Sequence, residues 1–158
     1  MGERLVPGAG RVSVGKNAKA KEIAVIANIF VNLPVKDLDR SKDFFTKLGF
    51  GLNLQFTDEN ATCVVIGDNI YAMLLREEFF KGFSKKEICD TSSCTEAILA
   101  LSADSREGVD AVATRALEAG ASEVRGATDM GFMYSRDFLD PDGHMWEVLW
   151  MDPNHIEK

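Results

Sequence analysis

The apolar pattern of this chain runs through one order of elements twice, and no other feature narrows the fold as much. IFVNLPV from Ile29 reads as a strand, and Asp37 offers an N-cap. DLDRSKDFFTKL then sets Leu38, Phe45 and Leu48 on one helical face before Gly49 stops it. FGLNLQF, ATCVVIG and NIYAMLL give three short strands, separated by turn clusters at residues 57–60 and 67–68. This βαβββ module covers about residues 29–75. After a connector the order returns: TEAILALSA is a strand, and Asp104 with Glu107 resembles a capping box. Val109, Val112, Ala113, Ala116 and Leu117 form a helical stripe that Gly120 ends. A short strand near residues 121–125, GFMYSRDF, the turn Asp140-Pro141-Asp142-Gly143 and HMWEVLWM complete a second module at 95–151. Each unit is too small to bury its sheet alone. The two are expected to pack side by side as an α+β fold, one curved mixed-sheet cup with helices on the outside.

Strand alternation divides the residues between the two sides of that sheet. Ile29, Val31, Leu33 and Val35 form an apolar face suited to the helices, as do Ala97, Leu99 and Leu101 and then Trp146, Val148 and Trp150. The opposite parity lines the cup with Phe30, Asn32, Tyr71, Met73, Leu75, Glu96, Ile98, Glu147, Leu149 and Met151, an apolar pocket with a few polar groups. Tyr134 and Arg136 share one face of the penultimate strand, and alternation alone leaves open which side it takes. The connector at 76–94 mixes charge with Phe79, Phe80, Phe83 and Ile88, and reads as an amphipathic segment able to cover one end of the cavity.

Residues 1–28 read as a flexible, Gly-, Ala- and Lys-rich extension, and 152–158 as a tail. Residues 10–17 nearly match a phosphate-binding loop but leave almost no room for the strand before it, and Asn17 stands where a hydroxyl must meet magnesium. The formal charge is −7 overall and −10 over residues 29–158, so the body should repel nucleic acid and anionic lipid. With no membrane-length apolar run and no secretory signal, a cytoplasmic protein is expected. Cys63, Cys89 and Cys94 are odd in number and fit neither a zinc ribbon nor a disulfide framework. They read as reduced thiols, with a Cys89–Cys94 redox pair as the alternative. His144 is expected to cap its turn.

The duplicated βαβββ order, with Val35-Lys36-Asp37-Leu38-Asp39-Arg40-Ser41, Phe44-Phe45, Leu48-Gly49-Phe50 and the closing Asp140-Pro141-Asp142-Gly143 to Glu147, resembles the vicinal oxygen chelate superfamily. Within it the chain is similar to small stand-alone proteins of the glyoxalase and bleomycin-resistance type. Relatives isomerise or cleave small carbonyl compounds, open catechol rings, epimerise thioesters or sequester antibiotics, so the resemblance leaves function open. It also implies a homodimer, since relatives commonly pair such modules across a two-fold axis. Metal-using relatives take four His, Glu or Gln ligands, and carried over by motif these positions hold Phe30, Met73, Ile98 and Glu147. Glu147 alone keeps a ligand-type side chain, against the roughly three protein ligands of a catalytic site. No cofactor is therefore expected, although Glu96 beside Ile98 leaves a weak hard-ion site open.

Two readings follow. In one, Glu147 is the proton-transferring group of a metal-independent enzyme acting on a small carbonyl, thioester or aromatic compound. In the other, the cup sequesters a hydrophobic or planar molecule without chemistry. A metal-dependent lyase or dioxygenase with other ligands is a third, disfavoured by the missing donors.

Overall fold

A computed structural model describes residues 25–155. The near match to a phosphate-binding loop, most of the N-terminal extension and the last three residues of the tail lie outside the described residues.

The α+β order read from the sequence is borne out. The first module comprises β1 (Ile29–Val35), α1 (Leu38–Lys47), β2 (Gly51–Asn53), β3 (Ala61–Gly67) and β4 (Ile70–Arg76). A short helix, α2 (Glu77–Phe80), opens the connector. The second comprises β5 (Ile98–Ser102), α3 (Arg106–Glu118), β6 (Ser122–Glu123), β7 (Thr128–Asp129), β8 (Met133–Leu139) and β9 (Met145–Met151). Asp37 caps α1 by accepting from the Arg40 amide, and Gly49 ends it at φ +100, a conformation that favours glycine. α3 starts one residue later than the capping-box reading: Ser105, extended and adjacent to the first helical residue, accepts from the Gly108 amide in place of Asp104. FGLNLQF pairs only over residues 51–53, because the Asn53 side chain takes the Gln55 amide and turns residues 54–56 into a single 3-10 turn. The strand expected near 121–125 shrinks to Ser122–Glu123, and β7 is an addition to the sequence reading.

The strand orders are β1-β4-β3-β2 and β5-β9-β8-β6, with β7 also on β8. β1–β4 and β5–β9 are parallel, the other ladders antiparallel. Among the described residues β1 and β5 each have a single ladder neighbour, so each sheet ends there on an open edge. The helix-facing sides of both sheets meet in one core that takes Leu33, Val35, Phe44, Phe45, Val64 and Leu74 from the first module and Val109, Ala116, Phe138, Trp146 and Val148 from the second. Phe44 lies 6.3 Å from Phe138, and Phe45 makes an edge contact with Trp146 at 5.4 Å between centroids. The other sides of the two sheets point away from this core and each carries part of the expected cup, while Tyr71 of the first module and Ile98 of the second also border one shared cavity of about 510 Å³ beside β1, β4 and β5.

The turn at 140–143 ties the modules together. The Asp142 carboxylate accepts from the Lys36 amide at 2.9 Å, the Arg40 guanidinium at 3.2 Å and the Ser41 hydroxyl at 3.2 Å, all at the start of α1. His144 does more than cap its turn: it is 2% exposed, its Nδ1 meets the Glu96 carboxylate and its Nε2 meets the Pro34 carbonyl at 2.7 Å. Both partners are acceptors, an arrangement that favours the doubly protonated ring, in which both nitrogens donate. Burial opposes that charge, but Asp140, the Pro34 carbonyl and Glu96 outweigh it and hold the pKa above the ordinary 6.5. The folded state thus keeps the proton more tightly than the unfolded chain. The resulting stability is fully present below pH 6.5 and is lost as pH rises through the folded-state pKa. Melting temperatures recorded across neutral and mildly alkaline pH should fall on that limb, and His144→Gln should flatten it; an unchanged slope in the variant would remove His144 from the explanation.

Candidate functional site

The first outer face carries Phe30, Asn32, Tyr71, Met73 and Leu75. Phe30 and Tyr71 are register partners on the parallel β1–β4 pair, and their rings stack at 4.7 Å. The Tyr71 hydroxyl donates to the Asp68 carbonyl and the Asn32 amide to the Phe30 carbonyl, so the polar atoms of this face are held by local backbone. Leu75 is buried, whereas Phe30 is 46% exposed.

The second outer face carries Ile98, Glu147, Leu149 and Met151. It also brings up a residue that the sequence reading missed. Asp137 on β8 lies directly opposite Glu147 on β9, and opposed residues of an antiparallel pair share a face. The Asp137 side chain is 2% exposed; its Oδ2 accepts from Arg125 Nε at 2.5 Å, while its Oδ1 is buried without a hydrogen-bond partner among the described residues. Glu147 is half-buried and flanked on its own strand by Met145 and Leu149. Two carboxylates therefore stand side by side on a sheet face that is otherwise largely apolar.

The same register settles Tyr134 and Arg136. Both reach Asp110 on α3, at 2.8 and 3.4 Å, so they lie on the helix side and do not line the ligand face. Phe138, on their parity and fully buried, was the signal that could have placed Asp137 opposite them. Glu96 is a correction. β5 begins at Ile98, paired with Met145, which leaves Glu96 ahead of the strand with its carboxylate on His144 and not beside Glu147. The cysteines are a second: Cys89 and Cys94 form a disulfide, because the connector turns back on itself between them, and only Cys63 keeps the thiol expected of all three. Burial raises the pKa of that thiol.

The residues at the four metal-ligand positions do not make a donor set. Phe30 and Ile98 bring no donor atom, Met73 only a soft thioether, and Glu147 a single carboxylate. Asp137 raises the carboxylates to two, and among the described residues no group of three or more His, Cys, Asp or Glu side chains could hold a metal ion.

A family model described as "Glyoxalase/Bleomycin resistance protein/Dioxygenase superfamily" matches residues 26–148. No curated protein matches the chain. Among solved structures, a hypothetical protein from S. aureus is 27% identical with a TM-score of 0.68, covering 80% of this chain and 94% of its own. A glyoxalase/bleomycin resistance protein/dioxygenase family enzyme from Burkholderia phytofirmans is 17% identical with a TM-score of 0.64, covering 77% and 96%. An antibiotic-binding protein from a Streptomyces species is 22% identical with a TM-score of 0.58, covering 82% and 98%. The last two likenesses show the fold.

Proposed function

The chain belongs to the glyoxalase/bleomycin resistance protein/dioxygenase superfamily, and from that premise we propose that it binds a small, largely apolar molecule whose hydrogen-bond donor meets the Asp137–Glu147 pair. The observation that carries this reading is the buried, unpartnered Oδ1 of Asp137 next to Glu147. A buried acceptor without a donor costs about 1–3 kcal/mol, so a ligand hydroxyl, amide or ammonium group that reaches it past the half-buried Glu147 would recover that cost. Ile98, Leu149 and Met151 supply apolar contact for the body of the molecule. The antibiotic-binding fold relative supports sequestration as the purpose of such a face. No metal enters this reading, since with Phe30, Met73 and Ile98 at the other ligand positions Glu147 and Asp137 are too few donors for a catalytic site.

The cup is completed by a second copy. Among the described residues β1 and β5 are open edges, and the apolar side chains Ile29, Phe30 and Ile98 along them are 46–57% exposed. Two-fold pairing of β1 in one copy with β5 in the other covers both edges and joins the Phe30 face to the Glu147 face.

Thermal-shift screening supplies a ligand, and calorimetry with mass spectrometry tests the rest. Glu147→Gln is expected to weaken binding by about 1–3 kcal/mol, with no product formed by either protein. A fall in turnover of about 10²-fold at unchanged affinity would replace sequestration with proton-transfer catalysis by Glu147. In light scattering, Ile98→Lys should give a monomer that no longer binds; a wild-type monomer of 17.4 kDa that binds normally would sink the two-copy cup.

A further inference from the structure

The connector carries chemistry that ligand binding does not use. Cys89 is half-buried and Cys94 exposed, and their disulfide spans a sequence separation of five. Between them the chain makes one tight turn: the Asp90 carbonyl accepts from the Ser93 and Cys94 amides, and the Asp90 carboxylate from the amide and hydroxyl of Ser92. Thr91, inside this loop, donates its hydroxyl to the Asp142 carbonyl at 2.5 Å. Gly143 lies so close beneath it that a Cβ there would sit 2.5 Å from Thr91 Oγ1. The loop thus lies on the same turn that holds the start of α1. A cavity of about 350 Å³ opens beside it, walled by Pro34, Lys36, Lys81, Cys89, Thr91 and His144.

We propose that Cys89 and Cys94 are a reversible dithiol–disulfide couple that clasps the 89–94 loop onto the 140–143 turn when oxidised and releases Thr91 from it when reduced. The oxidant is a small-molecule disulfide such as glutathione disulfide. One cysteine thiolate attacks it and expels a first thiolate; the second cysteine thiolate attacks the resulting mixed disulfide and expels the other. Two protein thiols lose two electrons and two protons, and one disulfide becomes two thiols. In reduction an external thiolate attacks the exposed Cys94 sulfur, Cys89 leaves as thiolate, and a second thiol resolves the mixed disulfide. Neither cysteine belongs to the shared core, and so short a loop constrains the unfolded chain far less than a long one. The switch therefore acts on the cavity wall and leaves the fold in place.

The full chain, equilibrated in glutathione buffers from reducing to oxidising, tests this by alkylation after denaturation and by hydrogen exchange. One alkylated cysteine, Cys63, is expected under oxidation and three under reduction. Amide exchange at residues 90–95 and 143–144 should quicken by roughly tenfold or more on reduction, with the β3 and β4 amides unchanged. The Cys89→Ser/Cys94→Ser double variant should show the reduced pattern in every buffer. Thr91→Val should stay oxidised by thiol count yet exchange at 143–144 like the reduced protein. Three thiols in the most oxidising buffer would overturn the proposal, as would equal exchange in the one-thiol and three-thiol forms.

Discussion

Replacing Trp146 by alanine is expected to lower the unfolding free energy by about 3–5 kcal/mol, the range for emptying a buried aromatic site. Trp146 is 1% exposed and stands where the helix-facing sides of both sheets meet, edge-on to Phe45 of the other module. Its indole N–H also donates to Asp140 Oδ2 at 3.0 Å, inside the turn that holds His144. Truncation leaves a cavity and a buried acceptor together. Trp146→Phe separates the two effects, keeping most of the ring volume while losing the donor, and should cost about 1–3 kcal/mol. Urea unfolding followed by circular dichroism measures both. A loss below about 1 kcal/mol for alanine would mean that the modules do not depend on this contact.

The second large effect belongs to Asp142. Its carboxylate serves a backbone amide, a guanidinium and a buried hydroxyl from a segment 101–106 residues away in sequence. Hydrogen bonds to a charged group contribute about 1.5–3 kcal/mol each where they are shielded. Arg40, with its side chain 46% exposed, counts for little of that, because solvent screens it. Asp142→Ala is therefore expected to cost about 2–4 kcal/mol, mainly through the Lys36 amide and the Ser41 hydroxyl. Arg40→Ala should cost less than about 1 kcal/mol. Chemical denaturation of the two variants checks this, and equal losses would overturn the ranking.

The strand and helix order was legible because each element carries its own local signal: period two in β1 and β9, a stripe in α3, Asp37 before α1 and a glycine after each helix. The inward and outward parity of Phe30, Ile98 and Glu147 was legible for the same reason. Asp137 was not, since YSRDF alternates two mixed faces and only its register against Glu147 reveals the carboxylate pair. Glu96 was misplaced because alternation extended β5 three residues ahead of its real start, where the buried His144 ring takes the Glu96 carboxylate instead. The partition of the half-cups between two outer faces lay beyond local pattern altogether. It depends on how two sheets dock through their helices, a tertiary choice to which period-two alternation is blind. The Cys89–Cys94 bond escaped in the same way, because spacing alone does not say whether a connector turns back on itself.

The common core has a consequence for how the chain folds. A tandem repeat usually suggests two units able to form in succession, each a scaffold for the next. Here Phe44 and Phe45 find their partners in Phe138 and Trp146, roughly a hundred residues further along, so the first repeat has no finished interior until the last strand has arrived. Most of the loop-closure entropy must be met before those distant contacts return any stability, which puts the chain among slow, all-or-none folders. The two halves resemble each other in design, yet neither is expected to fold on its own.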